Sequence, residues 1–354
     1  MSLRSRIDRL RAQTGSRSMP STATPSHGTP SLRSRLQQLG PERQREPAVR
    51  ASRPVSTEAL AAAVKGDLVA DGLIRISESI PLTGRIGRVE ADALKHIPLL
   101  PGETRQTPGL YIDTETTGLA GGSGTLAFLV GFAHLEDQRI ELRQFLITRF
   151  GAEPDLLSAV QLSVPAGHRL VSYNGKSYDL PLLATRFRIH AMSSSLSKRE
   201  HLDLLHPVRR LFARCWNDCR LTTLETRLLG FSREDDLPGS EAPEAWFSYL
   251  RGGDAQNLVR VIKHNRQDIL SLALAHVTLS RAIADPVPYR ADLYGLARWF
   301  ANTDESRALA FLQQHRERLC DVGRRLLSHM LRRADNWTGA VPIWEALAKQ
   351  GCME

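Results

Sequence analysis

Gly109-Leu-Tyr-Ile-Asp113-Thr-Glu115-Thr-Thr-Gly118 is the stretch of this chain that decides its fold. A short apolar run, which predicts a strand, leads into two carboxylates separated by one residue. Because residues i and i+2 of a strand point to the same face, Asp113 and Glu115 can bind one hard cation together. A pair this short also occurs by chance, so its meaning depends on acids farther along the chain.

Apolar patterning around this strand predicts an α/β domain. The predicted strands are 109–113, 126–134, 139–147 and 169–173, with a lead-in strand at 73–76 and a tight turn at 136–138. The predicted helices are 153–162, 179–190, 203–213, 222–229, 241–251 and 255–283. Strands followed by interleaved helices indicate a mixed sheet covered by helices.

Two later segments supply further acids. Asp179 begins a predicted helix directly after a strand, in Ser172-Tyr-Asn-Gly-Lys-Ser-Tyr-Asp-Leu-Pro-Leu-Leu. A helix cap explains this acid equally well when it is considered alone. His264 and Asp268 are four residues apart in the longest predicted helix, so they lie on one face, about 40° apart. Both can border a cleft while the apolar residues of the helix face the core.

The order and spacing of these acids resemble those of the DEDD 3′→5′ exonucleases, which have the ribonuclease-H-like fold. More closely, the chain resembles the bacterial YprB-type ribonuclease-H-like proteins, over about residues 100 to 282. The strings that carry this resemblance are TETTGLAGGSGTLAFLVGFA, SYNGKSYDLPLL, HLDLLHPVRRLF, LLGFSREDDLPGS and HNRQDILSL. It implies a metal-dependent 3′→5′ exonuclease in which Asp113, Glu115, Asp179 and Asp268 are the metal carboxylates.

His264 departs from the pattern of that superfamily. The histidine subgroup has His five residues before the last acid, whereas the tyrosine subgroup has Tyr four residues before it. His264 takes the tyrosine spacing, and one residue turns a side chain by about 100° around a helix. His264 is therefore a candidate catalytic residue that either orients the attacking water or deprotonates it.

Hydrolysis of a phosphodiester explains why several carboxylates would converge. In-line attack is assisted by two divalent ions roughly 3.5 to 4 Å apart, and all-oxygen ligands suit Mg²⁺ or Mn²⁺. Four acids without cations would repel one another and raise their own pKa values. We expect Asp113 to bridge the ions, Glu115 and Asp268 to hold the one that activates water, and Asp179 to serve the leaving group.

Weaker candidates surround these acids. Asn174 and Lys176 are candidate substrate-binding residues, although Asn174 can equally fix a turn and Lys176 can simply be solvated. The glycines of 118–124 favour a turn over a phosphate loop. Asp203 favours a helix N-cap over an auxiliary acid.

The net charge of +9 is concentrated in residues 1–56, where 11 Arg face three acids. We expect this segment to be a disordered Arg-rich tail that binds nucleic acid or a protein partner. A lead-in segment at 57–100, an exonuclease domain at 101–285 and a helical segment at 290–354 follow. No apolar run is long enough for a membrane span, and no secretory signal is apparent, so we expect a cytoplasmic protein.

The last segment resembles tetratricopeptide helical pairs. Ala308-x3-Leu312 and Ala340-x3-Trp344 are 32 residues apart, near the period of that repeat. Two pairs are too few for a solenoid, so they must dock on the nuclease domain, meet a protein partner or continue elsewhere. Two alternatives to the exonuclease stay open: an endonuclease on structured nucleic acid, and an inactive ribonuclease-H-like adaptor that binds nucleic acid or protein.

Overall fold

The described part of the chain is built on one mixed β-sheet. The computed structural model describes residues 55–118, 124–233 and 236–350. Its strands are β1 Asp67–Ala70, β2 Leu73–Pro81, β3 Arg85–Ile86, β4 Val89–Glu90, β5 Gly109–Thr116, β6 Ala127–Glu136, β7 Arg139–Ile147, β8 Arg169–Ser172 and β9 His201–Asp203. The tail predicted for 1–56 lies outside the described residues except for its last two, and so does most of the glycine-rich loop.

Eleven α-helices belong to the described residues. They are α1 Thr57–Ala63, α2 Glu153–Ser163, α3 Asp179–Ile189, α4 Leu205–Phe212, α5 Leu221–Leu224, α6 Ala242–Leu250, α7 Gln256–Ala284, α8 Leu293–Ala301, α9 Glu305–Gln314, α10 Asp321–Arg333 and α11 Trp337–Lys349. None of the helices in this part of the chain is long and apolar enough to cross a bilayer.

Seven strands form the sheet in the order β1-β2-β7-β6-β5-β8-β9. Neighbours from β1 to β5 are antiparallel, whereas β5–β8 and β8–β9 are parallel. The predicted α/β fold with a mixed sheet is confirmed. The predicted turn at 136–138 is also confirmed, because Asp137 and Gln138 have φ of 45° and 62° between the paired residues Glu136 and Arg139.

Three local predictions differ from the structure. The helix predicted at 203–213 begins two residues later, as α4, because Asp203 ends the edge strand β9. The helix predicted at 222–229 is a four-residue α-helix followed by a π-helical turn, Glu225–Leu229. The segment 57–100 does more than lead in, since β1 and β2 belong to the main sheet.

The alternation of β5 determines where its acids lie. Leu110 and Ile112 are buried in the core layer that contains α2, α3 and α6, while Tyr111 is buried in the other layer, with most of α7. Because side chains alternate along a strand, Asp113 and Glu115 share the face of Tyr111. The sequence pattern therefore directs both carboxylates toward the long helix.

A buried polar network fixes α7 to this face of the sheet. His276 is 2% exposed and lies 3.1 Å from the Tyr111 hydroxyl through Nδ1 and 3.1 Å from the Arg169 guanidinium through Nε2. Arg169 also pairs with Glu103. Because arginine can only donate, Nε2 must accept and Nδ1 must carry the proton, so His276 is neutral in this network.

We expect the stability of the fold to depend on pH through His276. Burial, with a smaller contribution from Arg169, lowers its pKa to about 3. In the unfolded chain the imidazole of His276 binds a proton near pH 6.5, whereas in the folded chain it stays neutral down to about pH 3. The free energy of unfolding therefore decreases as pH falls from about 6.5 toward 3. His276→Gln, which keeps a donor and an acceptor, should reduce this loss by about 2 kcal/mol or more between pH 6.5 and 4, measured by urea unfolding.

Exposed His329 is the matched control for this measurement. His329→Gln should leave the pH dependence of the unfolding free energy as it is in the unmodified chain. An unchanged acid slope in His276→Gln would contradict the role given to the buried imidazole.

Candidate active site

Three segments that are far apart in sequence converge beside β5. Asp113 and Glu115 lie on β5, Asp179 is the first residue of α3, and Asp268 lies in α7. The Thr114 hydroxyl donates to Asp179 Oδ1 at 2.5 Å, which joins α3 to the strand. The Asn265 amide donates to Asp113 Oδ2 at 2.7 Å, which joins α7 to the same strand. The structure brings all four predicted carboxylates together, close enough for the charges of Asp268, Asp179 and Glu115 to act on Asp113.

Asn265 positions α7 across the sheet. It is 0% exposed, and its Oδ1 accepts a hydrogen bond of 2.8 Å from the Gln144 amide on β7. Gly131 of β6 lies between them, paired with Asp113 on one side and with Gln144 on the other. A Cβ at Gly131 would overlap Asn265 Oδ1 and Ile269 Cδ1. The glycine is what lets the helix approach closely enough to hold Asp113.

Asp179 owes its position to the turn after β8. The N-cap position of α3 belongs to Tyr178, and no side chain caps this helix, so Asp179 is free to bond with β5 instead. A Cβ at Gly175 would lie 3.1 Å from Asp179 Oδ2 and closer still to Ser172. The turn needs glycine there because the chain folds back tightly on Ser172, which leaves no room for a side chain beside the acid.

Burial, together with nearby negative charges, makes the ionised form of each of the four carboxylates unfavourable. Burial, followed by the charges of Asp268, Asp179 and Glu115, raises the pKa of Asp113 well above its usual range. Glu115, 7% exposed, has its pKa raised by burial and then by Asp268 and Asp179. Burial raises the pKa of Asp179 to about 6, against the Thr114 hydrogen bond. Burial also raises the pKa of Asp268, while Arg233 counters it.

Arg233 is the cation closest to this group of acids among the described contacts. It donates to both oxygens of Glu225, at 2.7 and 2.8 Å, and it also pairs with Asp268. Glu225, 1% exposed, accepts a further bond from Ser271 on α7. Burial alone would lower the pKa of Arg233, but Glu225 and Asp268 raise it, so the guanidinium stays charged.

His264 lies at the edge of the cleft between two acids. Its Nδ1 is 2.6 Å from Asp236 Oδ1, and its Nε2 is 3.5 Å from Asp268 Oδ2. Arg233 lies 3.2 Å from the same Nδ1, but only one contact can be a hydrogen bond, because a carboxylate needs a donor and a guanidinium needs an acceptor. The shorter contact assigns the Nδ1 proton to the bond with Asp236, and Nε2 faces Asp268.

The donor set fits hard divalent cations. All four carboxylates offer oxygen ligands, and burial, followed by the charges of neighbouring acids, raises the pKa values of Asp113 and Glu115, a cost that a bound cation would relieve. Asp113, Glu115, Asp179 and Asp268 are the residues able to hold such ions. In the segments that the structure describes, however, no three His, Cys, Asp or Glu side chains are grouped as ligands of one ion. Asp268 is instead paired with Arg233.

Of the weaker candidates, Asn174 and Lys176 lie in the turn after β8, and Asp203 binds that turn. Asn174 has a φ of 64°, and its backbone N–H and that of Lys176 donate to Asp203 at 2.7 and 3.0 Å. Asp203 also accepts from the Leu205 N–H at 3.1 Å. It therefore holds the turn after β8 as well as the start of α4. No described contact joins the side chains of Asn174 or Lys176 to the four carboxylates.

Sequence reasoning missed the residues that support the acids. Asn265, Arg233, Asp236 and Glu225 were not predicted as site residues, although Asn265 is adjacent to His264. Arg233 and Asp236 belong to one of the strings that carried the resemblance. The signal available was that a charged segment, Ser-Arg-Glu-Asp-Asp, interrupts an otherwise apolar region before α6.

Residues 110–279 match the family model described as the RNase_H superfamily. The uncharacterized protein YprB of Bacillus subtilis (strain 168) is 33% identical over 247 residues, which are 68% of this chain and 60% of that protein. The chain thus spans about 60% of the length of this curated relative. The family match and this identity support a ribonuclease H-like protein.

Among solved structures, the family B DNA polymerase from the hyperthermophilic archaeon Pyrobaculum calidifontis is similar over part of its length. The similarity covers 66% of this chain and 34% of the polymerase chain, with a TM-score of 0.40 and 15% sequence identity.

Proposed function

We propose that the chain is a divalent-metal-dependent nuclease that removes nucleotides from 3′ ends. The observation that carries this proposal is the convergence of four carboxylates from β5, α3 and α7 at one site, where burial and, after it, nearby negative charges raise their pKa values. The proposal assigns Asp113, Glu115, Asp179 and Asp268 to two Mg²⁺ or Mn²⁺ ions and makes His264 the fifth catalytic residue. Residues 101–285 are its nuclease domain.

Bound divalent ions would supply positive charge to the attacking and leaving oxygens of the phosphodiester. The side chains do the remaining work. Asp236 accepts a hydrogen bond from Nδ1 of His264 and so holds the imidazole in place. In the proposed mechanism Nε2 then accepts a proton from the attacking water or orients that water. Asn265 fixes the orientation of Asp113, and Thr114 fixes that of Asp179. In the proposed mechanism Arg233 holds Asp268 in place and limits repulsion until cations bind.

Linear and circular single strands test this function directly. We expect the full chain with Mn²⁺ to shorten a 5′-labelled linear strand stepwise and to leave a circular strand of the same sequence intact. An exonuclease requires an end, whereas an endonuclease with the same ions does not. A 3′ label should be released first as a mononucleotide, and release from the 5′ label first would reverse the proposed polarity.

The pairing of Arg233 with Asp268 favours a second candidate, an inactive adaptor. A guanidinium that already neutralises one carboxylate reduces the need for a cation there. On the same labelled strand, this alternative predicts metal-stimulated binding without product.

Two further parts of the chain have proposed partners. The tetratricopeptide-like helices α8 to α11 of residues 290–354 bind a protein partner in this proposal. The Arg-rich tail adds contacts to nucleic acid or protein.

A further inference from the structure

A cavity of about 610 Å³ is surrounded by arginines outside the candidate active site. We call the part formed by Arg88, Arg227, Arg281 and Arg290 the arginine pocket. Trp216, Thr278 and Tyr289 also line it, and none of the described lining residues is acidic. The pocket therefore concentrates four positive charges on one small space.

These four arginines are exposed and lack carboxylate partners among the residues that the structure describes, although the Arg227 guanidinium lies over the ring of Trp216, 5.7 Å from its centroid. Arg233, Arg169 and Arg186 are each paired with a carboxylate. By contrast, no described Asp or Glu forms an ion pair with any arginine of the pocket, although the carbonyl oxygen of Arg227 accepts a 3.1 Å bond from Arg88. Like charges around one cavity repel one another, and a bound anion would relieve that repulsion.

Close packing brings the pocket together from distant parts of the chain. The Arg88 N–H donates to the Leu229 carbonyl at 2.7 Å, which joins the β3–β4 hairpin to the π-helical turn. Gly230 has a φ of 77°, which favours glycine, and a Cβ there would also lie 2.5 Å from Arg88 Cγ. Arg281 comes from the end of α7 and Arg290 from the loop before α8. Arg88 and Arg227 are thus held beside each other by backbone contacts.

We propose that the arginine pocket binds phosphate groups. The planar fork of arginine donates two parallel hydrogen bonds to phosphate oxygens, and the ring of Tyr289 offers a surface on which a base can stack. Trp216 already stacks on Phe212 at 4.1 Å and so helps to form the wall of the pocket. Arg281 lies about 20 Å from Asp268 along the axis of α7, at 1.5 Å per residue. At about 100° per residue the two side chains are also about 140° apart around the helix, so the pocket lies on a different side of α7 from the four carboxylates. The pocket can therefore bind the backbone of a strand or a free polyphosphate independently of that site.

Binding in the presence of EDTA tests the pocket without hydrolysis, so the result does not depend on the proposed nuclease activity. The full chain is compared with the double variant Arg281→Ala and Arg290→Ala, using labelled oligothymidylate, labelled oligouridylate and inorganic pyrophosphate as separate probes. The matched control is Arg318→Ala with Arg332→Ala, which removes the same charge from exposed positions in the C-terminal helices. Both variants keep the Arg-rich tail.

We expect the pocket variant to bind the strands at least about tenfold more weakly and to lower the salt slope of log K by about one to two. The control should change affinity by less than about twofold. Loss with both strand and pyrophosphate identifies the strand backbone as the ligand, and loss with pyrophosphate alone identifies a free polyphosphate. Equal binding of every probe by the pocket variant and the control overturns the proposal.

A variant that keeps the charge guards against misfolding. Arg281→Lys with Arg290→Lys retains both positive charges but loses the guanidinium forks, so we expect an affinity between that of the full chain and that of the alanine variant. If the lysine variant binds as tightly as the unmodified chain, positive charge alone explains the binding and a site specific for phosphate is contradicted.

Discussion

Asp113→Asn should lower the rate of strand hydrolysis by at least about 10³-fold while leaving the chain folded. The variant removes one negative oxygen from the middle of the four carboxylates, and several kcal/mol of transition-state stabilisation depend on ions held there. The amide retains an oxygen that can accept the hydrogen bond from Asn265. The measurement is the initial rate of mononucleotide release from a labelled strand with saturating Mn²⁺.

The same variant should make the metal-free chain more stable. Burial, then Asp268, Asp179 and Glu115, raise the pKa of Asp113, which means that its charged form is unfavourable in the folded state. A folded pKa above the unfolded value makes an acid destabilising at neutral pH, so a neutral amide raises the free energy of unfolding. We expect an increase of about 1 kcal/mol, seen as a higher melting temperature in EDTA. Mn²⁺ should then raise that temperature less than it does in the unmodified chain.

Asp137→Asn is the matched control for charge. Asp137 is an exposed acid at the end of β6, with a φ of 45°, a conformation that asparagine adopts readily. This variant should keep both the rate and the metal-dependent rise in melting temperature. Hydrolysis by Asp113→Asn at the unmodified rate would remove Asp113 from the site and, with it, the proposed two-ion arrangement.

The strands of the sheet were predictable where a tight turn and an alternation of apolar and polar residues mark them in the sequence. β7 begins and ends at the predicted residues, because apolar and polar residues alternate after a turn of two residues with positive φ. β9 was missed because three residues in a parallel pair have too little periodicity to identify, and the apolar run after it predicts a helix. A periodic pattern identifies a strand or helix only when the element is long enough for the pattern to repeat within it.

The four carboxylates could be named from the sequence because three short motifs resemble those of a known family, and their role as metal ligands stays a prediction. Their supports were not predictable, because each support is a contact between distant segments. Asn265 meets Asp113 across 152 residues, and Arg233 meets Asp268 across 35. Which side chain fills the space between two packed elements depends on the packing itself, and no residue type or interval in the sequence specifies that contact.

Gly131→Ala should damage both the fold and the site, since it changes the space between β6 and α7. The added Cβ would overlap Asn265 Oδ1 and Ile269 Cδ1, and both belong to buried parts of α7. Forcing a methyl group into a packed core costs about 1 to 3 kcal/mol. A helix displaced by about 1 Å also misplaces Asp268 and the amide that holds Asp113, which can reduce the rate about 10²-fold.

A second substitution separates these two effects. Asn265→Ala removes the side chain that the new methyl group meets, so the pair Gly131→Ala with Asn265→Ala should be more stable than the sum of the single changes predicts, by about 1 kcal/mol in urea unfolding. Hydrolysis should not recover, because Asp113 still lacks its hydrogen-bond donor. Gly124→Ala is the control for stability, since nothing lies within 4 Å of a Cβ there. If Gly131→Ala is as stable and active as Gly124→Ala, α7 does not depend on this glycine for its approach to the sheet, and the orientation of Asp113 must have another cause.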